Sequence, residues 1–389
     1  MDRATTYRWL LLLALVQCEE SEARFRDLLD EEGRLRRDRR LPRAALLQPC
    51  DSPWERLFCS MNDQALITIT GFDHAAFASL LALFSPWFSA HTPWTGGRKP
   101  FVKLLPRGQG RGRNRIISDR TCLGLVLAWY RFRGPEYILQ GWFGFTGTHA
   151  NTWLRFGRRG LLIVLGSNVD AKVVMPDDEQ VHRLCEATSQ KHDLLPDVYC
   201  VADGLKLYFE QCDGMDEQSM YYNGWMHDHF VSCVFVFSID GRIIRCIVNA
   251  PGSLHDSTLA DWGGIYDALE EVYNRTGGKC CVDSAFASTN NAFLLKSSQH
   301  VTDQQGPMNI CRHEQATSMR QAAEWGMRAI QSAFPRLRDR IRFEVNGERR
   351  IYLSLLPLLY NFRLSTVGLN QIRNTYVPNW SIDCEYFIN

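Results

Sequence analysis

A chain of 389 residues with 45% hydrophobic content can bury a large core, as two domains or one large domain with an extension, and it is excluded from being disordered throughout. Its net charge of +1 hides a local excess, because Arg98, Lys99, Lys103, Arg107, Arg111, Arg113, Arg115 and Arg120 share one glycine-punctuated stretch opposed by Asp119 alone. Thirteen cysteines, odd in number, scattered and without a Cys-x-x-Cys pair, exclude a zinc knuckle and a compact disulfide framework and fit a reduced intracellular compartment.

Residues 1–72 read as a partly helical, Arg-rich extension. Arg8 precedes the apolar run Trp9 to Val16, and Ser21-Glu22-Ala23 supplies small residues at cleavage-like spacing, the pattern of a secretory signal. The competing reading is an amphipathic helix that continues through Phe25, Leu28, Leu29 and Leu35 into the basic segment Arg34 to Arg43. No apolar run reaches the roughly 18 residues that cross a bilayer, so no membrane partner is expected.

Residues 73–167 form a helical region. Asp73 is placed to cap a helix that runs to Phe88, with Pro86 near its end. The glycine-rich stretch from Gly96 to Gly112 is a loop, read either as a solvated basic loop or as a phosphate-contacting arm through Arg111, Arg113 and Arg115. Helices are predicted over 120–131, 135–142 and 146–165, with Gly134-Pro135 breaking the first from the second. The last carries His149, Asn151, Arg155, Arg158 and Arg159. Helix, tight turn and helix with polar and basic residues is the pattern of a helix-turn-helix DNA reader, and also of any small helical bundle.

Residues 168–196 are a connector with a turn at Pro176-Asp177-Asp178 and a helix over 179–189. Residues 197–342 change period. Short β-branched apolar runs at 198–201, 231–237, 243–248 and 279–282 predict strands, Asp240-Gly241 is a hairpin turn, and one helix is expected from His255 through Leu259, Trp262, Ile265 and Leu269. The class is α/β. Residues 343–389 supply an apolar, leucine-rich helix to Tyr360 and an irregular tail.

Four acids stand out in this unit. Asp203 and Asp283 each follow a predicted strand, and ligands gather at the carboxyl ends of strands in open α/β sheets. Asp256 stands near a helix start. Glu324 borders the small apolar stripe Met319, Ala322, Ala323, Gly326, Ala329, Ile330 and Ala333. Together they make the oxygen ligand set that divalent cations need for phosphodiester chemistry. Singly, Asp203-Gly204 is an ordinary turn, Asp256-Ser257 an ordinary cap, and Arg320, Glu324 and Arg328 an i, i+4, i+8 salt-bridge ladder. His227, His229 and His255 lack thiol partners at ligand spacing and read as ordinary core or surface histidines.

The ordered set Ala202-Asp203-Gly204, Tyr222-Asn223-Gly224-Trp225, Asp240-Gly241-Arg242-Ile243, Gly252-Ser253-Leu254-His255-Asp256-Ser257, Val282-Asp283-Ser284-Ala285-Phe286 and Arg320-Gln321-Ala322-Ala323-Glu324-Trp325-Gly326 resembles the PIF/Harbinger-type DDE transposases and their nuclease relatives, across about 115–340. The resemblance implies an RNase H-like core, a mixed sheet flanked by helices, with a mostly helical region containing a helix-turn-helix before it. It implies catalysis by Asp203, Asp283 and Glu324, with Asp256 as an additional metal-binding acid, and Mg²⁺ or Mn²⁺ as the ion. It further implies DNA as substrate, a homo-oligomer, a separate Myb-like DNA-binding partner and a nuclear setting. The chain departs from the family's pattern at Leu205-Lys206, where Thr and His are usual, and at Ala285-Phe286, where Gly and Tyr are usual. Two functions follow: a metal-dependent endonuclease or transposase, or a domesticated adaptor that binds DNA without cutting it.

Overall fold

The computed structural model describes residues 41–94, 103–106, 117–210, 215–286, 291–297, 307–341, 346–368 and 370–377. The signal-like stretch 1–23 and the basic tail after it lie outside the described residues. So do Arg98, Lys99, Arg107, Arg111, Arg113, Arg115 and Arg342.

The N-terminal region is helical because its caps and apolar spacing agree. Ser52, Asn62, Asp73 and Ser118 each accept a backbone N–H at the start of α1 (Pro53–Cys59), α2 (Asp63–Thr70), α3 (His74–Ala90) and α4 (Asp119–Arg131). Pro86 lies inside α3, four residues before its end. A two-stranded ribbon pairs β1 (His91–Trp94) with β2 (Lys103–Pro106), and β2 falls within the stretch expected to be loop. Two more helices follow, α5 (Glu136–Phe143) and α6 (Gly147–Gly166), close to the predicted spans. Among the described residues no single helix is long and apolar enough to cross a membrane.

The connector carries α7 (Asp178–Lys191), which opens with a capping box between Asp177 and Gln180. Behind it lies a mixed sheet. Its strands are β3 (Val198–Tyr208), β4 (Tyr222–Asn223), β5 (Asp228–Ser238), β6 (Ile243–Pro251), β7 (Lys279–Asp283) and β8 (Leu294–Ser297), with the short helix α8 (Met215–Tyr221) between β3 and β4. Antiparallel β5 pairs with β3 on one side and β6 on the other, while β7 runs parallel to β3 and β8 parallel to β7. That order, β6-β5-β3-β7-β8, with an antiparallel meander followed by two parallel strands, is an RNase H-like core.

Strand alternation divides the core in two. Val198, Val201, Leu205 and Leu207 of β3 and Cys281 of β7 face the long helix α11 (Pro307–Ala333), α12 (Asn346–Val367) and the N-terminal helices. Cys200, Ala202, Cys280 and Val282 face α7, α9 (Asp256–Trp262) and α10 (Ile265–Thr276). The stripe expected on α11 packs on the sheet, and Gly326 is needed there: a Cβ would stand 2.7 Å from the Phe237 ring. A further short helix, α13 (Gln371–Tyr376), packs against α11, where the sequence suggested only an irregular tail.

Two expectations are corrected. Asp203 lies within β3 rather than after it, because Leu205 and Leu207 continue the buried alternation beyond Gly204. The single helix expected from His255 is two, α9 and α10, broken at Gly263-Gly264. Gly263 packs against Ile247 where no Cβ fits, and Gly264 adopts the left-handed conformation with φ +65°.

Candidate active site

The parallel register of β3 and β7 pairs Val201 with Cys281 and Ala202 with Val282, so the next residues on the two strands are Asp203 and Asp283. Alternation turns both toward the face that α11 covers. Each carboxylate is half-buried and bonded to the backbone that follows it. The Gly204 N–H donates to Asp203 Oδ1 at 2.7 Å and the Ser284 N–H to Asp283 Oδ1 at 2.6 Å.

Asp256 reaches the same neighbourhood from the other face of the sheet. It opens α9, and its carboxylate lies against Gly204, where a Cβ would stand 2.7 Å from the carboxyl carbon. The Asp-Gly pair is therefore no turn; the glycine admits a second carboxylate beside the first. β6 delivers this loop after a register irregularity opposite Cys233, where Asn249 adopts φ +64°. The Arg349 Nε donates to Asn249 Oδ1 at 2.5 Å and holds the irregularity from α12.

The electrostatics match this crowding. Burial raises the Asp203 carboxyl to about 6, with the Gly204 N–H and Arg320 working against the rise and Asp256 and Asp283 adding to it. Burial also raises Asp256, against the pull of Lys206 and His255 and with a push from Asp283. These are three carboxylates close enough to feel one another, with Arg320 and Lys206 opposing them.

Glu324 is held by an ion pair within its own helix. Its carboxylate pairs with Arg320 one turn earlier, with Arg320 Nη2 at 2.8 Å from Oε1, both side chains part-exposed. The i, i+4 ladder read in the sequence is thus present, and Arg320 serves Glu324 and Asp203 together. Sequence reasoning missed Arg320 and Lys206 as electrostatic members of the site. Alternation held the signal for Lys206, two residues after Gly204 on the same strand face.

The donor chemistry, all carboxylate oxygen, suits a hard divalent cation. Among the described residues, however, no group of three or more His, Cys, Asp or Glu side chains is gathered closely enough to hold a metal ion. Asp203 and Asp283 fit an ion bound through one or two carboxylates, with water and phosphate completing its shell. Glu324 would join such a site only when its pair with Arg320 opens.

The basic face expected on α6 is corrected in part. Arg158 is 3% exposed, its guanidinium 3.8 Å from the centre of the Trp129 ring, and no DNA can reach it. Arg159 Nη2 pairs with Glu348 Oε1 at 2.5 Å and Arg155 Nε lies 3.9 Å from Glu348 Oε2, so both serve the joint between α6 and α12. Partners this far along the chain cannot be read from helical spacing. His149 and Asn151 are exposed near the start of α6.

An RNase H-like sheet with paired carboxylates on its central parallel strands defines a nuclease-type core. Residues 202–359, from the Asp203 strand through α11 and into α12, match the family described as DDE superfamily endonuclease. Comparison with curated proteins and with solved structures found no match.

Proposed function

We propose that this chain is a divalent-metal-dependent DNA endonuclease of the transposase kind, cutting at the rim where Asp203 and Asp283 lie side by side. The observation that carries the reading is their consecutive register on adjacent parallel strands, with Asp256 set against Gly204. A divalent ion bound there would acidify the attacking water and neutralise the leaving oxygen. Asp203 and Asp283 hold the charge that binds it, Gly204 and Ser284 orient those two carboxylates through backbone N–H groups, and Asp256 keeps the local field negative. Glu324 joins them on release from Arg320, as DNA phosphate takes the guanidinium. The finer reading adds a PIF/Harbinger-type element, strand transfer by the freed 3′-hydroxyl, terminal repeats held by a homo-oligomer with a Myb-like partner, and nuclear residence. DNA outside the cut is contacted through His149 and Asn151.

The test is supercoiled plasmid incubated with purified protein and Mg²⁺ or Mn²⁺. Nicked or linear product is expected, abolished in Asp203→Ala and Asp283→Ala while DNA binding persists. Cutting that survives either substitution refutes that residue's role. The Arg320–Glu324 pair and the lack of a tight acid cluster among the described residues favour a second reading, a domesticated adaptor that binds DNA without cutting. Such a protein binds with steep salt dependence and leaves the plasmid closed.

A further inference from the structure

Away from the acid rim, the helical region holds a cavity of about 190 Å³. Its walls are apolar: Ile69 from the end of α2, Ala128 from α4, Phe132 just after it, and Leu139, Trp142 and Phe143 from α5. That volume falls below the roughly 300 Å³ at which small-molecule sites begin, and it suits a single large side chain.

One cation shares the wall without a counter-charge. Arg131 closes α4 and is half-buried. Its Nε donates to the Thr68 carbonyl at 3.3 Å, and its Nη1 donates to the Ser332 and Ala333 carbonyls at 3.1 and 3.2 Å, which caps the end of α11. Those bonds leave Nη2 over, and no carboxylate among the described residues pairs with Arg131. Arg363 stands beside it from α12. Its Nε donates to the Gly71 carbonyl at 3.0 Å, and a Cβ on Gly71 would stand 3.4 Å from Arg131 Cδ. Arg363 also meets no carboxylate among the described residues. Burial lowers the pKa of both guanidiniums, and Arg363 adds to the loss at Arg131. Arg133, on the same cavity, is already answered: its Nε donates to Asp339 Oδ1 at 2.9 Å.

Two neighbouring guanidiniums that are partly desolvated repel each other, so an anion that reaches them stabilises the pair. A bare phosphate would leave the aromatic walls wet. An acid carried beside an aromatic side chain satisfies walls and charge together, and a peptide presents those two groups at adjacent positions.

We propose that this cavity is a docking site for an acidic peptide segment of a partner protein, which seats one aromatic side chain against Leu139 and Trp142 and sets a neighbouring carboxylate on Arg131. The occupant bears on the joint between the helical region and the core, because Arg131 bonds to the ends of α2 and α11 and Arg363 belongs to α12. The site is independent of the endonuclease reading.

The test uses the full chain and the fluorescein-labelled peptide Ser-Asp-Glu-Phe-Asp-Glu-Ser, read by anisotropy. Two comparison peptides carry Ala in place of Phe, or Lys in place of all four acids. Wild type is expected to bind the acidic aromatic peptide saturably and at least about tenfold more tightly than either comparison. Arg131→Gln should weaken that binding about tenfold and Arg363→Gln about threefold. Because Arg131 also caps α11, thermal denaturation accompanies both variants; should Arg131→Gln unfold, Arg363→Gln decides, and unchanged affinity in it overturns the proposal. No saturable binding by wild type, equal affinity for either comparison peptide, or equal affinity in folded Arg131→Gln overturns it as well. Displacement of the peptide by duplex DNA, with DNA affinity falling in both variants, overturns it and assigns the two arginines to phosphate. Plasmid cutting by Arg363→Gln is expected at the wild-type rate, so failure here leaves the endonuclease reading standing, and an inert wild type that binds the peptide does the reverse.

Discussion

The carboxylate of Asp256 lies against the bare Cα of Gly204, from the sheet face opposite to that toward which Asp203 and Asp283 are turned. A methyl group at 204 would stand 2.7 Å from the Asp256 carboxyl carbon, well inside ordinary contact, so either β3 or the start of α9 must move. Gly204→Ala is therefore expected to cost about 1–3 kcal/mol in urea denaturation. Plasmid cutting is expected to fall by more than about tenfold, since small misplacements of a catalytic group are expensive. Full activity in this variant would show that Asp256 has room to shift and sets nothing at the site.

Asp203 carries a stability penalty. Its carboxyl titrates at about 6 in the folded chain against an ordinary value of 3.8, so the folded state holds the proton more tightly than the unfolded one. The associated stability is fully present below about pH 3.8 and is lost as pH rises through about 6. Asp203→Asn removes the ionisable group, and without metal it should melt higher than wild type near neutral pH, by about 1–3 kcal/mol. At about pH 3.5 the two should coincide. Thermal denaturation in chelator at both values checks this; equal melting near neutrality would mean that Asp203 is well solvated.

Much of this was legible in the sequence, and the omissions share a cause. The ends of α4, α5 and α6 were readable because caps, Gly134-Pro135 and apolar spacing are local signals. The meeting of Asp203 with Asp283 depended on 198–201 and 279–282 being neighbouring strands, a pairing that no local signal in the sequence states. The length of β3 was missed because Gly204 resembles a strand terminator when its partner, Asp256, is out of view. β8 escaped because Leu294–Ser297 is short and unremarkable in composition. Arg155, Arg158 and Arg159 looked like a basic surface because Trp129, Tyr352 and Glu348, which cover or pair them, lie on other helices.

Arg320 offers a way to separate electrostatics from structure. Its pair with Glu324 is part-exposed and one helical turn long, so Arg320→Gln should change stability by less than about 1 kcal/mol. The same substitution removes a positive charge that lowers the Asp203 carboxyl, and that carboxyl should rise further. Because the ionised form is the one that binds a cation, the acid limb of the cutting profile should move to higher pH. A profile of cleavage rate against pH in Mn²⁺ reads the shift directly. An unmoved acid limb would remove Arg320 from the electrostatics of Asp203.

The joint between α6 and α12 should behave as structure, and the exposed start of α6 as a binding surface. Glu348 is 1% exposed between Arg159 and Arg155, and the adjacent Arg349 is wholly buried. Glu348→Gln leaves buried positive charge without its carboxylate and is expected to cost about 3 kcal/mol. Arg158→Gln loses the stack on Trp129 and should also destabilise, yet the protein that remains folded should bind DNA within about twofold of wild type. The double substitution His149→Ala with Asn151→Ala removes exposed groups, so stability should hold within about 0.5 kcal/mol while DNA affinity falls. Chemical denaturation paired with a DNA titration at two salt concentrations separates the two classes. Should Arg158→Gln weaken DNA binding more than the double variant does, α6 would meet DNA through a different face.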